Sequence, residues 1–167
     1  MTTTQAPSQL LRLLEMVEAT PPLLTAVVHP VDELSLAGAI AGARRGLIAP
    51  VLIGPRKRIL AAARAAGLDI AAYQLIDVAH SHAAAARACE LAAGGKVAAL
   101  MKGALHTDEL LEAIVSGPSN LRTERRMSHV FVLDVPGYPR PLLISDAALN
   151  IAPDLMTKRD IVQNAID

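Results

Sequence analysis

The sequence predicts an α/β fold: a three-layer α/β/α sandwich around a mixed, mostly parallel sheet, with a late antiparallel hairpin. Three observations predict it. Short apolar, strand-like runs alternate with longer Ala- and Leu-rich stretches that carry charges at helical spacing. Apolar residues make up 52% of the 167, while aromatics are only 2%, so the core must be built from small aliphatics, which let helices approach a buried sheet closely. After Pro118 the rhythm changes, because two strand-like runs stand too close together for a parallel crossover. At this length one α/β domain, 1–167, is expected.

In chain order, strands are expected at Leu24 to His29, Pro50 to Ile53, Gln74 to Val78 and Val97 to Met101. Helices fit between and after them at Asp32 to Arg45, Arg56 to Ala66, Ser81 to Ala93 and Thr107 to Val115, the last with Thr107 as N-cap. Gly46, Gly67 and the Gly94–Gly95 pair follow helical stretches, where a C-terminal cap needs a residue that tolerates positive φ. His129 to Val135 and Pro141 to Ser145 read as a hairpin, and a last helix starts near Asp154, its N-cap.

Charge and cysteine content narrow the function classes. Lys plus Arg is 16 and Asp plus Glu is 16, so no whole-chain pull toward nucleic acid or an anionic membrane follows. The scarcity of aromatics argues against stacking platforms for single-stranded nucleic acid. Cys89, the single cysteine, falls in an alanine-rich helix and reads as an inert core thiol. Met1 to Ser8 lacks the basic and apolar regions of a signal peptide, and no apolar run approaches the roughly 20 residues of a membrane span. A cytoplasmic protein with no membrane or nucleic-acid partner is expected.

Candidate chemistry sits in three places. Arg122, Arg125 and Arg126 crowd the segment L-R-T-E-R-R-M-S-H before a strand, with Ser128 and His129 beside them. Guanidinium forks match phosphate oxygens bidentately, although a solvated charge run has the same composition. The segment M-K-G-A-L-H-T, Met101 to Thr107, lies at a strand's carboxyl end, where open α/β sheets bind ligands. Lys102 and His106 there are either anion contacts or ordinary loop residues. Gly54-Pro55-Arg56-Lys57-Arg58 places three cations at a helix start, either as a solvated face or as a site for an anion. His80 and His82 lack a third ligand, so no metal site is expected.

The stretch from Arg125 to Asp154, R-R-M-S-H-V-F-V-L-D-V-P-G-Y-P-R-P-L-L-I-S-D-A-A-L-N-I-A-P-D, resembles the phosphate acetyltransferase and phosphate butyryltransferase family. M-K-G-A-L-H-T matches the preceding strand-to-helix segment. The fit is closest to the compact branch that includes acetyltransferase domains fused to an enoyl-coenzyme A hydratase. It runs from about Gln9 onward and reaches only the first half of a member of ordinary length.

The resemblance implies two α/β domains flanking a cleft, in which an acyl group moves between coenzyme A and phosphate. Coenzyme A is then a substrate, acyl phosphate and phosphate are the other small-molecule partners, and no tightly bound cofactor is implied. The Ser, Arg and Asp usually assigned central roles fall in the second half, absent here, so catalytic residues are not placed in this chain. One wall of the cleft is expected from Arg122, Arg125, Arg126, Ser128, Lys102, Ser145, Asp146 and Asn150. Two departures stand out: Ser145-Asp146-Ala147 replaces the F-A-D-C of acetyl-specific members, and Glu112 stands where they carry an Arg. Both point toward the butyryl-like branch or a relaxed acyl preference. The isolated chain is expected to be inactive and to form homo-oligomers through an apolar face of Ile161, Val162 and Ile166 on the last helix. A non-catalytic coenzyme A or acyl-phosphate module, or a structural subunit completing a site with a separate second half, is the alternative.

Overall fold

The computed structural model describes residues 9–17 and 19–167. The chain folds as two compact units. One is Thr20–Arg122; the other joins Thr123–Asp167 with the segment before Thr20.

The larger unit holds a four-stranded, wholly parallel sheet of β1 (Leu23–Val28), β2 (Ile48–Gly54), β3 (Gln74–Asp77) and β4 (Ala99–Lys102), in the order β3-β2-β1-β4. Period-two alternation splits β1 between two cores. Val27, with Leu52 of β2, meets α2 (Glu33–Arg44) and α3 (Arg56–Ala65) on one face. Ala26 and Val28, with Val51 and Ile53, meet α4 (Ser81–Ala93) and α5 (Thr107–Val115) on the other. Ala84, Ala85 and Ala88 of α4 are fully buried, so small side chains do bring that helix close to the strands. This is the three-layer sandwich that the alternation of segments predicts. The chain leaves β1 toward one face and β4 toward the other, making the gap between them the topological switch point.

Capping follows local chemistry. Gly46, Gly67 and Gly95 have φ of +71°, +63° and +65°, each just past the end of a helix. Asp32 caps α2 by accepting from Ser35 N at 2.8 Å. At α5 the expected cap moves by one residue: Thr107 is already helical, and His106 stands at the N-cap without a side-chain bond.

The smaller unit contains α1 (Gln9–Val17), which the sequence reading did not anticipate, the hairpin β5 (Val130–Leu133) and β6 (Leu142–Ser145), and α6 (Leu155–Ile166). The hairpin forms as expected, with Val130 opposite Ser145, but as a two-stranded sheet of its own. Asp154 caps α6 by accepting from Thr157 N at 2.8 Å. The expected exposed face of α6 needs one correction: Ile161 is buried, whereas Val162 and Ile166 are exposed.

Candidate functional site

The residues just before β5 have no strand partner, and side chains satisfy several of their backbone groups. Five bonds do this between Arg126 and His129. Asp160 of α6 accepts from Arg126 N at 3.1 Å, and Asn164 Nδ2 donates to Arg126 O at 2.8 Å. Asn150 Nδ2 donates to Met127 O at 2.9 Å. Asp146 accepts from His129 N at 3.3 Å, and Ser145 Oγ donates to His129 O at 2.9 Å. Residues 126–129 are therefore clamped by the loop after β6 on one side and by α6 on the other.

Asp146 organises that loop. Its carboxylate accepts from the backbone N–H groups of Ala148 at 3.0 Å, Leu149 at 3.1 Å and Asn150 at 3.0 Å, and from the Asn150 side-chain amide. These bonds, Ala148 foremost, hold its carboxyl well below the usual carboxylate range, against the opposing effect of desolvation. Asp146 is thus committed to the backbone, as expected for an acid that ends a strand and opens a turn.

The cations are partly compensated. Arg125 pairs with Asp167 and donates to Asn164 Oδ1 at 3.4 Å. Arg126 is exposed, and its guanidinium has no hydrogen bond among the described residues, although its charge helps to depress the Asp154 carboxyl after the Thr157 bonds. The half-buried Ser128 hydroxyl accepts from Asn164 Nδ2 at 2.8 Å. Two guanidiniums and one hydroxyl on a fixed stretch suit a phosphoryl group. Asn164 and Asp160 were missed by sequence reasoning, which took the last helix only for its apolar face. The partners of these two side chains on the Arg125–Ser128 segment lie 34 to 39 residues away, so no local pattern marks them.

Six of the eight expected site residues, Arg125, Arg126, Ser128, Ser145, Asp146 and Asn150, thus form one bonded set. The other two belong to the parallel-sheet unit. Lys102 ends β4 and turns its ammonium onto its own loop, donating to Leu105 O at 2.9 Å and Gly103 O at 3.3 Å. Arg122 is exposed at that unit's last position. Of the α3 cations, Arg56 is drawn toward β3, with its N–H on Asp77 at 2.8 Å and its guanidinium on Leu75 O at 3.3 Å.

The parallel-sheet unit also buries His29 at the end of β1, with φ +57° and Nδ1 unpaired among the described residues. Burial, then the Arg58 charge, lowers its pKa, while Glu109 opposes them. Cys89 is buried and its thiol pKa is raised by that burial, in keeping with an inert core residue. No group of three potential metal ligands occurs among the described residues, and no described helix is long and apolar enough to cross a membrane.

A four-stranded parallel sheet with helices on both faces, beside a separate two-stranded hairpin, makes this an α/β fold. The structure superimposes on a branched-chain phosphotransacylase from Enterococcus faecalis V583 with a TM-score of 0.67 at 22% identity, over 86% of this chain and 50% of that one. No protein-family model matches the chain. It is 52% identical over 161 residues to a phosphate acetyltransferase of Rhizobium meliloti, covering 96% of this chain and 51% of that protein. It is 30% identical over 154 residues to a phosphate butyryltransferase of Clostridium beijerinckii, covering 92% and 51%. The chain is a partial-length homologue of the phosphate acetyltransferases and phosphate butyryltransferases, and spans about half the length of these curated relatives.

Proposed function

We propose that this chain supplies the phosphate-holding wall of an acyltransferase that moves an acetyl or butyryl group between coenzyme A and phosphate. The observation that carries the reading is the immobilised Arg125–Ser128 segment, in a chain half-identical to a phosphate acetyltransferase. In the reaction a phosphate oxygen attacks the thioester carbonyl, the carbon–sulfur bond breaks, and the coenzyme A thiolate leaves and takes a proton. Cations must hold the phosphate, and donors must meet the charge that develops on the carbonyl oxygen. Arg125, Arg126 and Ser128 serve the phosphate; Asp146 and Asn150 hold them in place. The base that handles the thiol proton is expected in the half of the relatives' length that these 167 residues do not match. Coenzyme A is a substrate, no cofactor is tightly held, and the setting is cytoplasmic, with neither membrane nor nucleic acid as partner. The higher identity to an acetyltransferase favours acetyl over the butyryl preference that Ala147 and Glu112 suggest.

One half of a cleft enzyme, taken by itself, cannot orient both reactants, a contribution of roughly 7–11 kcal/mol. The chain alone is therefore inactive, and its exposed apolar residues, Val162, Ile166 and Leu155 among them, favour homo-oligomers. The test is a chimera in which the chain replaces the matched part of the Rhizobium meliloti enzyme. Phosphate-dependent thiol release from acetyl-coenzyme A is expected, faster than from butyryl-coenzyme A. Arg125→Ala with Arg126→Ala lowers kcat/KM about 100-fold, roughly 2.7 kcal/mol. An active chimera indifferent to both substitutions contradicts the assignment.

A further inference from the structure

We propose that Asn164 is a positioning residue for a phosphoryl-oxygen site on Arg125, Arg126 and Ser128, setting the Ser128 hydroxyl as an outward donor; this rests on the acyl-transfer reading above. The argument is a donor and acceptor inventory. An asparagine amide offers two N–H donors and one carbonyl acceptor. The Arg126 main-chain oxygen can only accept, and it lies 2.8 Å from Asn164 Nδ2. The Arg125 guanidinium can only donate, and it lies 3.4 Å from Asn164 Oδ1. These two partners fix which end of the amide is nitrogen without reference to Ser128. The second N–H then points at Ser128 Oγ, 2.8 Å away, so the hydroxyl must accept there.

A serine oxygen that accepts from the amide keeps its own hydrogen free to donate elsewhere. An anion needs donors, and the hydroxyl sits two residues from the Arg126 guanidinium on the clamped segment. One side chain thus does three things: it holds the Arg126 backbone, contacts Arg125 and orients Ser128. Asp160, one helical turn earlier on α6, fixes the Arg126 N–H and prevents the segment from swinging away from Asn164. The phosphoryl oxygen belongs either to inorganic phosphate or to a phosphate of coenzyme A, and the two sources separate by probe.

The experiment is a double-mutant cycle on the full chain, with Asn164→Ala, Ser128→Ala and the pair. Dissociation constants are read by titration with inorganic phosphate and, separately, with adenosine 3′,5′-bisphosphate. Each single change is expected to weaken phosphate binding about tenfold, the effect of losing one hydrogen bond to a charged group at a hydrated site. If Asn164 works through Ser128, the pair weakens binding by clearly less than the product of the single effects. A purely structural role lowers thermal stability and gives multiplicative losses. Asn164→Leu, close to isosteric and uncharged, replaces the alanine variant in the cycle if that variant does not fold. Multiplicative losses, or unchanged affinity in the single variants, overturn the role of Asn164 while leaving the phosphate site standing. Absence of saturable binding of both probes by the unsubstituted chain overturns the reading of this segment as the phosphate-holding wall, and with it the role of Asn164.

Discussion

Asp146→Ala is expected to disorder the loop after β6 and to abolish phosphate binding in the same variant. The carboxylate accepts from four backbone N–H groups, those of His129, Ala148, Leu149 and Asn150, and from the Asn150 amide. Alanine leaves all of these donors to find water, and Asn150 loses the anchor that aims it at Met127 O. Residues 127–129 then keep the Ser145 bond to His129 O and the contacts from α6, but lose the hold of the loop after β6. A two-stranded hairpin has little independent stability, so the smaller unit has no reserve to absorb the loss. Acid produces the same result reversibly. The carboxyl is depressed in the folded chain, so its contribution is fully present above the unfolded value near pH 4 and disappears as the pH falls through the lower folded value. Amide exchange at Ala148 to Asn150 is the measurement. Asp146→Asn, which can still accept through one oxygen, falls between the two. Fast exchange in the variant with phosphate affinity intact would show that loop and site are independent.

Gly103→Ala is expected to destabilise the parallel-sheet unit by about 3 kcal/mol, a fall of roughly 10–20 °C in Tm for a unit of this size. Gly103 N donates to Val28 O at 2.8 Å and Ala104 N donates to His29 O at 2.9 Å, so the chain leaving β4 lies directly against the end of β1. An added Cβ would stand 2.5 Å from Val28 O and 2.7 Å from His29 O. Both are main-chain atoms, at the end of a strand with neighbours on both sides and at the residue that follows it, and no rotamer change relieves the clash. Gly46→Ala is the control. Its φ of +71° penalises alanine, but nothing lies within 4 Å of the added atom, so the cost is only about 1–2 kcal/mol. Thermal unfolding of the two variants should rank them in that order. Equal losses would mean that positive φ, and not the close approach of β1 and β4, governs the glycines.

Much of this architecture was legible because it is written locally. The Ser81–Ala93 helix follows from a run of alanines between a polar start and two glycines, and the hairpin follows from the brevity of Pro136 to Arg140. The Arg125–Ser128 segment was visible as a cluster of guanidiniums before a strand. What holds it was not. Asp160 and Asn164 look like the polar face of an ordinary amphipathic helix, and only the fold brings them under Arg126. Lys102 shows a local competition that the sequence does not reveal. Its position at a strand's carboxyl end suggested an anion contact, but loop carbonyls within three residues compete for the same ammonium. The separation of the hairpin from the main sheet was equally hidden, because a sequence shows that two strands pair and not which sheet they join.

The most direct measurement is a phosphate titration of the purified chain, with and without Arg125→Ala and Arg126→Ala together. Partial compensation of Arg125 by Asp167 and the exposure of Arg126 limit the affinity to the millimolar range, about 4 kcal/mol. Saturable millimolar binding, weakened by added salt and lost in the double variant, is the predicted result. Phosphate binding that survives both substitutions would contradict the central claim that this segment is the phosphate-holding wall.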